Sequence, residues 1–218
     1  MRQERTISGV EAVTFGGPGT LRVVQAETES LALTASHSVL PQLQSRVAGK
    51  VLHLGVARGP VTPIGLMRQA VTWDLGVREL QRLVMTGSGS IVLPDLDMDE
   101  LVVELQGSGG IRFAHLTADR LLVKLSGSGA ISLAGDVESQ QVRITGSGSY
   151  EAMHLVSDYG SIAVAGSGTA DVAVNDDLDV RIAGDGKVNY SGFPEITKQI
   201  SGSGKLTRIR RPAAHRSS

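Results

Sequence analysis

Apolar residues recur along this chain in pairs split by one polar position, and the pairs themselves recur about every 20 residues. Val103 and Leu105, Val123 and Leu125, Val142 and Ile144, Ile162 and Val164, and Val180 and Ile182 form one such series. Glu104, Lys124, Arg143 and Arg181 are the polar residues held between them. Two positions after each pair stands a Gly-Ser-Gly tripeptide or its variant. The seven are Gly87-Ser88-Gly89, Gly107-Ser108-Gly109, Gly127-Ser128-Gly129, Gly146-Ser147-Gly148, Gly166-Ser167-Gly168, Gly184-Asp185-Gly186 and Gly202-Ser203-Gly204. Their first glycines are 20, 20, 19, 20, 18 and 18 residues apart. Beyond the tripeptide a second alternating pair follows, as in Ile91 and Leu93, Ile111 and Phe113, Ile131 and Leu133, and Val188 and Tyr190. Period-two alternation predicts strands with one face buried and one wet. Each repeat reads as strand, glycine corner, strand, then a more variable turn.

Two short strands cannot bury their apolar face alone, so the repeats must stack on one another. At roughly 3.3 Å per extended residue, a coil of 20 residues has a circumference of at most ~66 Å, and successive coils lie ~4.8 Å apart. The prediction is an all-β, single-stranded parallel β-helix with coils of 18–20 residues, and right-handed crossover is the expected hand for parallel strands. The first third carries the same code in worn form. Gly17-Pro18-Gly19 has Val13 and Phe15 before it and Leu21 and Val23 after it. Leu31-Ala32-Leu33, Val51-Leu52-His53-Leu54 and Ala70-Val71-Thr72-Trp73 are strand-like without a clean corner, and residues 58–70, with Pro60 and Pro63, read as an excursion loop. The expectation is one domain over 1–207 with ten or eleven coils, divergent in 1–78 and regular in 79–207. The basic stretch 208–218 is expected to be a disordered tail.

Composition narrows the function. Glycine contributes 27 of 218 residues and aromatics only 3%, as a chain rich in tight turns requires. A formal net charge of −1 argues against a nucleic-acid partner, which calls for a basic surplus. No apolar run approaches the ~18 residues of a membrane-spanning helix. The absence of cysteine removes disulfides, thiolate metal sites and thiol catalysis. Met1-Arg2-Gln3-Glu4-Arg5-Thr6 has no secretory apolar core, which suits a cytoplasmic chain or one whose leader has been removed.

The segment Ile7-Ser8-Gly9-Val10-Glu11-Ala12-Val13, the Leu-x-Val-x-Leu-x-Gly-Ser-Gly-x-Ile repeats and the closing Tyr190-Ser191-Gly192-Phe193-Pro194 resemble the putative auto-transporter adhesin, head GIN domain family. The resemblance covers roughly residues 5–207. It implies an exported bacterial β-helix of the adhesion type, and it brings no catalytic residues with it.

Candidate chemistry is sparse. The glycine corners lack the third glycine and following helix of a dinucleotide loop, and there is no Walker-type lysine, so no cofactor is expected. Glycine there serves backbone freedom and close approach, with the stacked serines free to share hydroxyl hydrogen bonds between coils. The sharpest polar feature is an acidic column eight positions before each first glycine: Glu79, Asp99, Asp119, Glu138, Asp158 and Asp176. Stacked ~5 Å apart, each adjacent pair would cost roughly 1–3 kcal/mol unless screened. A calcium ladder or a carbohydrate-facing groove is one reading. The preferred reading makes them solvated residues that begin strands from turns. Glycoside hydrolysis would need converging carboxylates, for which Asp95, Asp97, Asp99 and Asp119, or Asn175, Asp176 and Asp177, are the candidate sets. His37, His53, His115, His154 and His215 show no metal-ligand spacing, and His115 and His154 fall in the variable turn, where exposure is expected. The resulting expectation is a non-catalytic structural or adhesive module of the cell envelope, with a surface glycan or protein as partner. The alternatives are a carbohydrate-binding or -cleaving β-helix and a scaffold polymerising through its coil ends. Lys198 and Pro194 break the last coil's pattern, which predicts a cap from Pro194 onward that limits homo-oligomers formed through coil ends or sides.

Overall fold

The computed structural model describes residues 1–57 and 70–210. Strand accounts for 73% of the structure and helix for 2%, the latter a single 3-10 turn at Leu40–Gln42. The predicted excursion over 58–70 falls almost wholly outside the described residues, as does the tail from 211 onward.

The regular part is built from β8 (Arg82–Gly87), β9 (Ser90–Leu93), β10 (Leu96–Gly107), β11 (Gly110–Gly127), β12 (Ala130–Gly146), β13 (Ser149–Gly166), β14 (Thr169–Gly184), β15 (Lys187–Ser191), β16 (Glu195–Ser201) and β17 (Lys205–Arg208). All pair in parallel with the neighbouring coils, β16 and β17 with the preceding coil alone among the described residues. The register keeps like columns together: Val103, Val123, Val142, Ile162 and Val180 are successive partners, as are Leu105, Leu125, Ile144, Val164 and Ile182. Their side chains are buried and form one continuous core.

The variable turn is not a turn. The strand runs from Gly110 to Gly127, and the inward residues of that coil are Ile111 and Phe113, then Leu116 and Ala118, then Leu121, Val123 and Leu125. Twice the interval between inward residues is three instead of two. The coil is therefore three-sided, bending at 113–116 and at 118–121, and its ladder resumes past each bend. Changes in repeat length are absorbed at these bends: the register slips between Phe113 and Leu116, between Ser132 and Ala134, and twice between Ala152 and Tyr159.

At the glycine corner the coils approach as closely as backbone allows. Gly127 has φ +111°, and a Cβ there would lie 2.5 Å from the Gly107 carbonyl oxygen. That carbonyl accepts from the amides of Ser128 and Gly129, both at 3.0 Å. The corner serines are exposed and no hydroxyl bonds to its neighbour in the next coil, so the expected serine ladder is absent and main-chain bonds take its place.

The N-terminal third departs from expectation in its order. β2 (Ala12–Phe15) and β3 (Thr20–Gln25) form the coil around Gly17-Pro18-Gly19, and they stack in parallel on β8 and β9. On their other side lie β6 (Val51–Val56) and β7 (Thr72–Val77), also parallel. An earlier coil thus sits between two later ones. The far face of β6–β7 is closed by antiparallel strands: β5 (Leu43–Ala48) on β6, β4 (Ser30–Thr34) on β7, and β1 (Arg2–Arg5) on β4. Seven corners from Gly87 to Gly202 enclose about six turns, so the expectation of ten or eleven successive coils is corrected: strands such as Leu31–Leu33 close an end instead of adding coils. Trp73 plugs this end, fully buried, with its indole N–H donating to the Pro18 carbonyl at 3.0 Å and its ring edge-on to Phe15.

Candidate functional site

The acidic column lies on the outside of the 118–121 bend. Met98 pairs with Ala118 and Glu100 with Arg120, which sets Asp99 against Asp119; the same bracketing sets Asp119 against Glu138 and Glu138 against Asp158. Strand spacing puts these neighbours ~4.8 Å apart along the axis. At the next coil the register slips, and Asp158 faces both Asn175 and Asp176, accepting from the Asn175 amide at 3.3 Å. Glu79 stands outside the strands, in the segment between β7 and β8. Asp99, Asp119, Glu138, Asp158 and Asp176 all lie within strands, so they are not strand-initiating turn residues. The carboxylates of Asp99, Asp119 and Glu138 are exposed and make no side-chain hydrogen bond or ion pair among the described residues.

Among the described residues, no three histidine, aspartate or glutamate side chains are grouped so as to hold a metal ion. His37, His53 and His115 are exposed at separate places, whereas His154 is half-buried in β13, contrary to the exposed turn expected for it. Of the acids considered for hydrolysis, Asp97 is engaged at its backbone by Gln25, and Asp177 belongs to a different feature.

That feature is a groove beside the column. Just past the bend two outward columns flank one inward column. The first runs Glu100, Arg120, Ser139, Tyr159 and Asp177, and the second Val102, Leu122, Gln141, Ser161 and Asp179. Between them Leu101, Leu121, Gln140 and Gly160 form the floor. The space enclosed is about 570 Å³. A second hollow of about 880 Å³, reaching Glu79, Arg82 and Asp99, shares Glu100 and Val102 with it, so the trough continues along the axis. Tyr159 is 46% exposed, and a side chain at its neighbour Gly160 would point inward, against Val174 and Leu178.

The groove is rigidly founded. Under it, Gln140 donates to Ser157 Oγ at 2.8 Å and accepts from the Tyr150 hydroxyl at 3.0 Å, and Ser157 Oγ donates to the Ala173 carbonyl at 3.3 Å. All three side chains are buried, and burial pushes the Tyr150 phenol far above its usual pKa. On the same side, Glu104 is 7% exposed and bonds Arg82 at 2.9 Å and Lys124 at 3.3 Å, tying three coils together. Arg120 pairs with Glu100 at 2.9 Å and Arg181 with Asp179 at 2.8 Å. Sequence reasoning found the column but missed the groove. The available clue was the adjacent polar pair Asp158 and Tyr159, which breaks the alternation at the bend.

A one-chain β-solenoid with a mixed polar and apolar trough, and no three metal-ligating side chains drawn together among its described residues, defines the class. The chain belongs to the putative auto-transporter adhesin, head GIN domain family, whose family model matches residues 10–194. It is similar in structure to a putative adhesin from Bacteroides fragilis, with a TM-score of 0.88 at 19% identity over 96% of each chain. A putative adhesin from Parabacteroides merdae gives 0.75 at 22% over 96% of each chain. A putative lipid binding protein from Parabacteroides distasonis gives 0.75 at 23% over 96% of each chain. At these identities the likeness speaks for the fold. No curated protein sequence matches the chain. No helix among the described residues is long and apolar enough to cross a membrane.

Proposed function

We propose that this protein is a non-catalytic, exported recognition module of the bacterial cell envelope, and that the groove over Glu100–Asp179 contacts a surface glycan. The observation that carries the reading is the setting of Tyr159: a half-exposed ring flanked by Ser139, Gln141 and Ser161. An aromatic face stacks on the apolar face of a sugar ring, while hydroxyl and amide groups beside it meet the sugar hydroxyls. The coil spacing of ~4.8 Å is near the length of one pyranose unit, whereas alternate side chains of an extended peptide repeat at ~6.7 Å. The polymerising alternative is disfavoured because the N-terminal end is closed by antiparallel strands.

The test is binding of the whole protein to a panel of envelope and host-surface glycans. Tyr159→Ala and Gln141→Ala should each weaken capture by about tenfold or more, the loss of one well-placed contact. Release of reducing ends or unsaturated products, abolished by Asp99→Asn or Asp119→Asn, would replace this reading with an enzyme.

A further inference from the structure

Net charge is unevenly divided along this chain. Of 21 basic and 22 acidic residues, six and one lie after Gly192, leaving a formal +5 there against −6 over the preceding 192 residues. That basic stretch begins with the terminal coil. β16 pairs only with β14, and β17 only with β15, so the coil's outer edge has no strand over it among the described residues. Lys198 ends the inward column Val103–Val180, standing next to Val180 where every other coil has an aliphatic side chain. Lys205, Arg208 and Arg210 lie close by in sequence. None of these four cations is in an ion pair among the described residues.

The same end carries exposed apolar side chains. Phe193, in the loop between β15 and β16, is 85% exposed, and Ile196, Ile200 and Ile209 are between 37% and 39% exposed. The Arg208 guanidinium lies 3.7 Å from the Phe193 ring centroid, holding a cation over an outward-facing aromatic ring. Arg, Lys, Phe and Ile together at one end match the two layers of a lipid surface, with charge at the headgroups and apolar groups just beneath.

We infer that the C-terminal end of the solenoid docks on an anionic phospholipid surface. A second copy is the poorer occupant. Two such ends would bring like charges together, and the opposite end offers antiparallel strands where an end-to-end stack needs a parallel edge. A soluble polyanion would satisfy the cations but leave Phe193 and the isoleucines in water. The acidic column on the side of the rod is repelled by the same surface, so the molecule stands on its end and the groove stays open to solution.

The experiment is co-sedimentation of the full chain with vesicles of phosphatidylcholine, with and without phosphatidylglycerol. Binding should need the anionic lipid, weaken as salt rises, and fall about tenfold in a Lys205→Gln/Arg208→Gln double variant. Phe193→Ser, at a solvent-exposed position and with its folding checked by circular dichroism, should weaken it as well. Tyr159→Ala should bind vesicles like the parent, which separates this test from that of the groove. Equal binding to neutral vesicles, or binding untouched by Phe193→Ser, would overturn the inference. So would a fall in molecular mass of the Phe193→Ser variant in sedimentation velocity, which would make this end a contact between copies.

Discussion

Single residues decide how closely the coils can stack. Gly127 needs both a positive φ and the absence of a Cβ, since that atom would sit 2.5 Å from a main-chain oxygen that cannot move without opening the ladder. Gly127→Val should therefore lower stability by more than about 1 kcal/mol in urea melts, while Ser128→Ala, whose hydroxyl has no partner, should stay within about 0.5 kcal/mol. Tyr150 poses a different constraint. Tyr150→Phe would leave the Gln140 carbonyl oxygen buried without its donor, at a cost of about 1–3 kcal/mol. The same phenol makes stability pH-dependent at the alkaline end. The folded state keeps the proton, whereas the unfolded chain releases it near pH 10, so above that pH the unfolded state binds fewer protons and stability falls. Melting temperature should be insensitive to this group below about pH 10 and decline above it, and Tyr150→Phe should remove that part of the decline.

At the level of elements, the alternation of Val123, Leu125, Ile131 and Leu133 around Gly127-Ser128-Gly129 was enough to read the strands, the corner and the stacking. What it could not convey was the second and third sides of the coil. A three-residue interval between inward positions, such as Ala118 to Leu121, looks like a loop in sequence because period-two logic fails there, yet the ladder resumes past the bend. The acidic column was visible for the same reason as the corners, namely constant offset, and its neighbours in the groove were not, because outward positions differ from coil to coil. The Glu104 clamp likewise depends on contacts between coils. Glu104→Gln should cost about 1 kcal/mol, with a smaller salt dependence of stability than the parent, since two half-exposed cations lose their shared anion.

For the whole molecule, stability is close to a sum over coils and the interfaces between them. Removing residues 193–218 should leave the remaining coils folded but bare the strand from Leu178 to Ala183, with Leu178, Val180 and Ile182 losing their cover. Light scattering should then report association that the full chain does not show, and that grows with salt as repulsion is screened. The last segment lies at an edge, and there it forms a coil that continues the ladder to Arg208. The order of the N-terminal layers had no counterpart in the pattern at all. Alternation states that a segment is a strand; it is silent on direction, and on which later strand will lie on each side.

That order also sets a schedule. Residues 12–25 are flanked by 51–56 and 72–77 on one side and by 82–93 on the other, so a chain delivered N-terminus first holds them without either neighbour until most of residues 51–93 have followed. Beyond Ser90 each new coil needs only the one before it. Assembly is thus a single delayed commitment and then rapid accretion, and a protease added to stalled nascent chains should find them uniformly cleavable up to about that length and increasingly resistant past it.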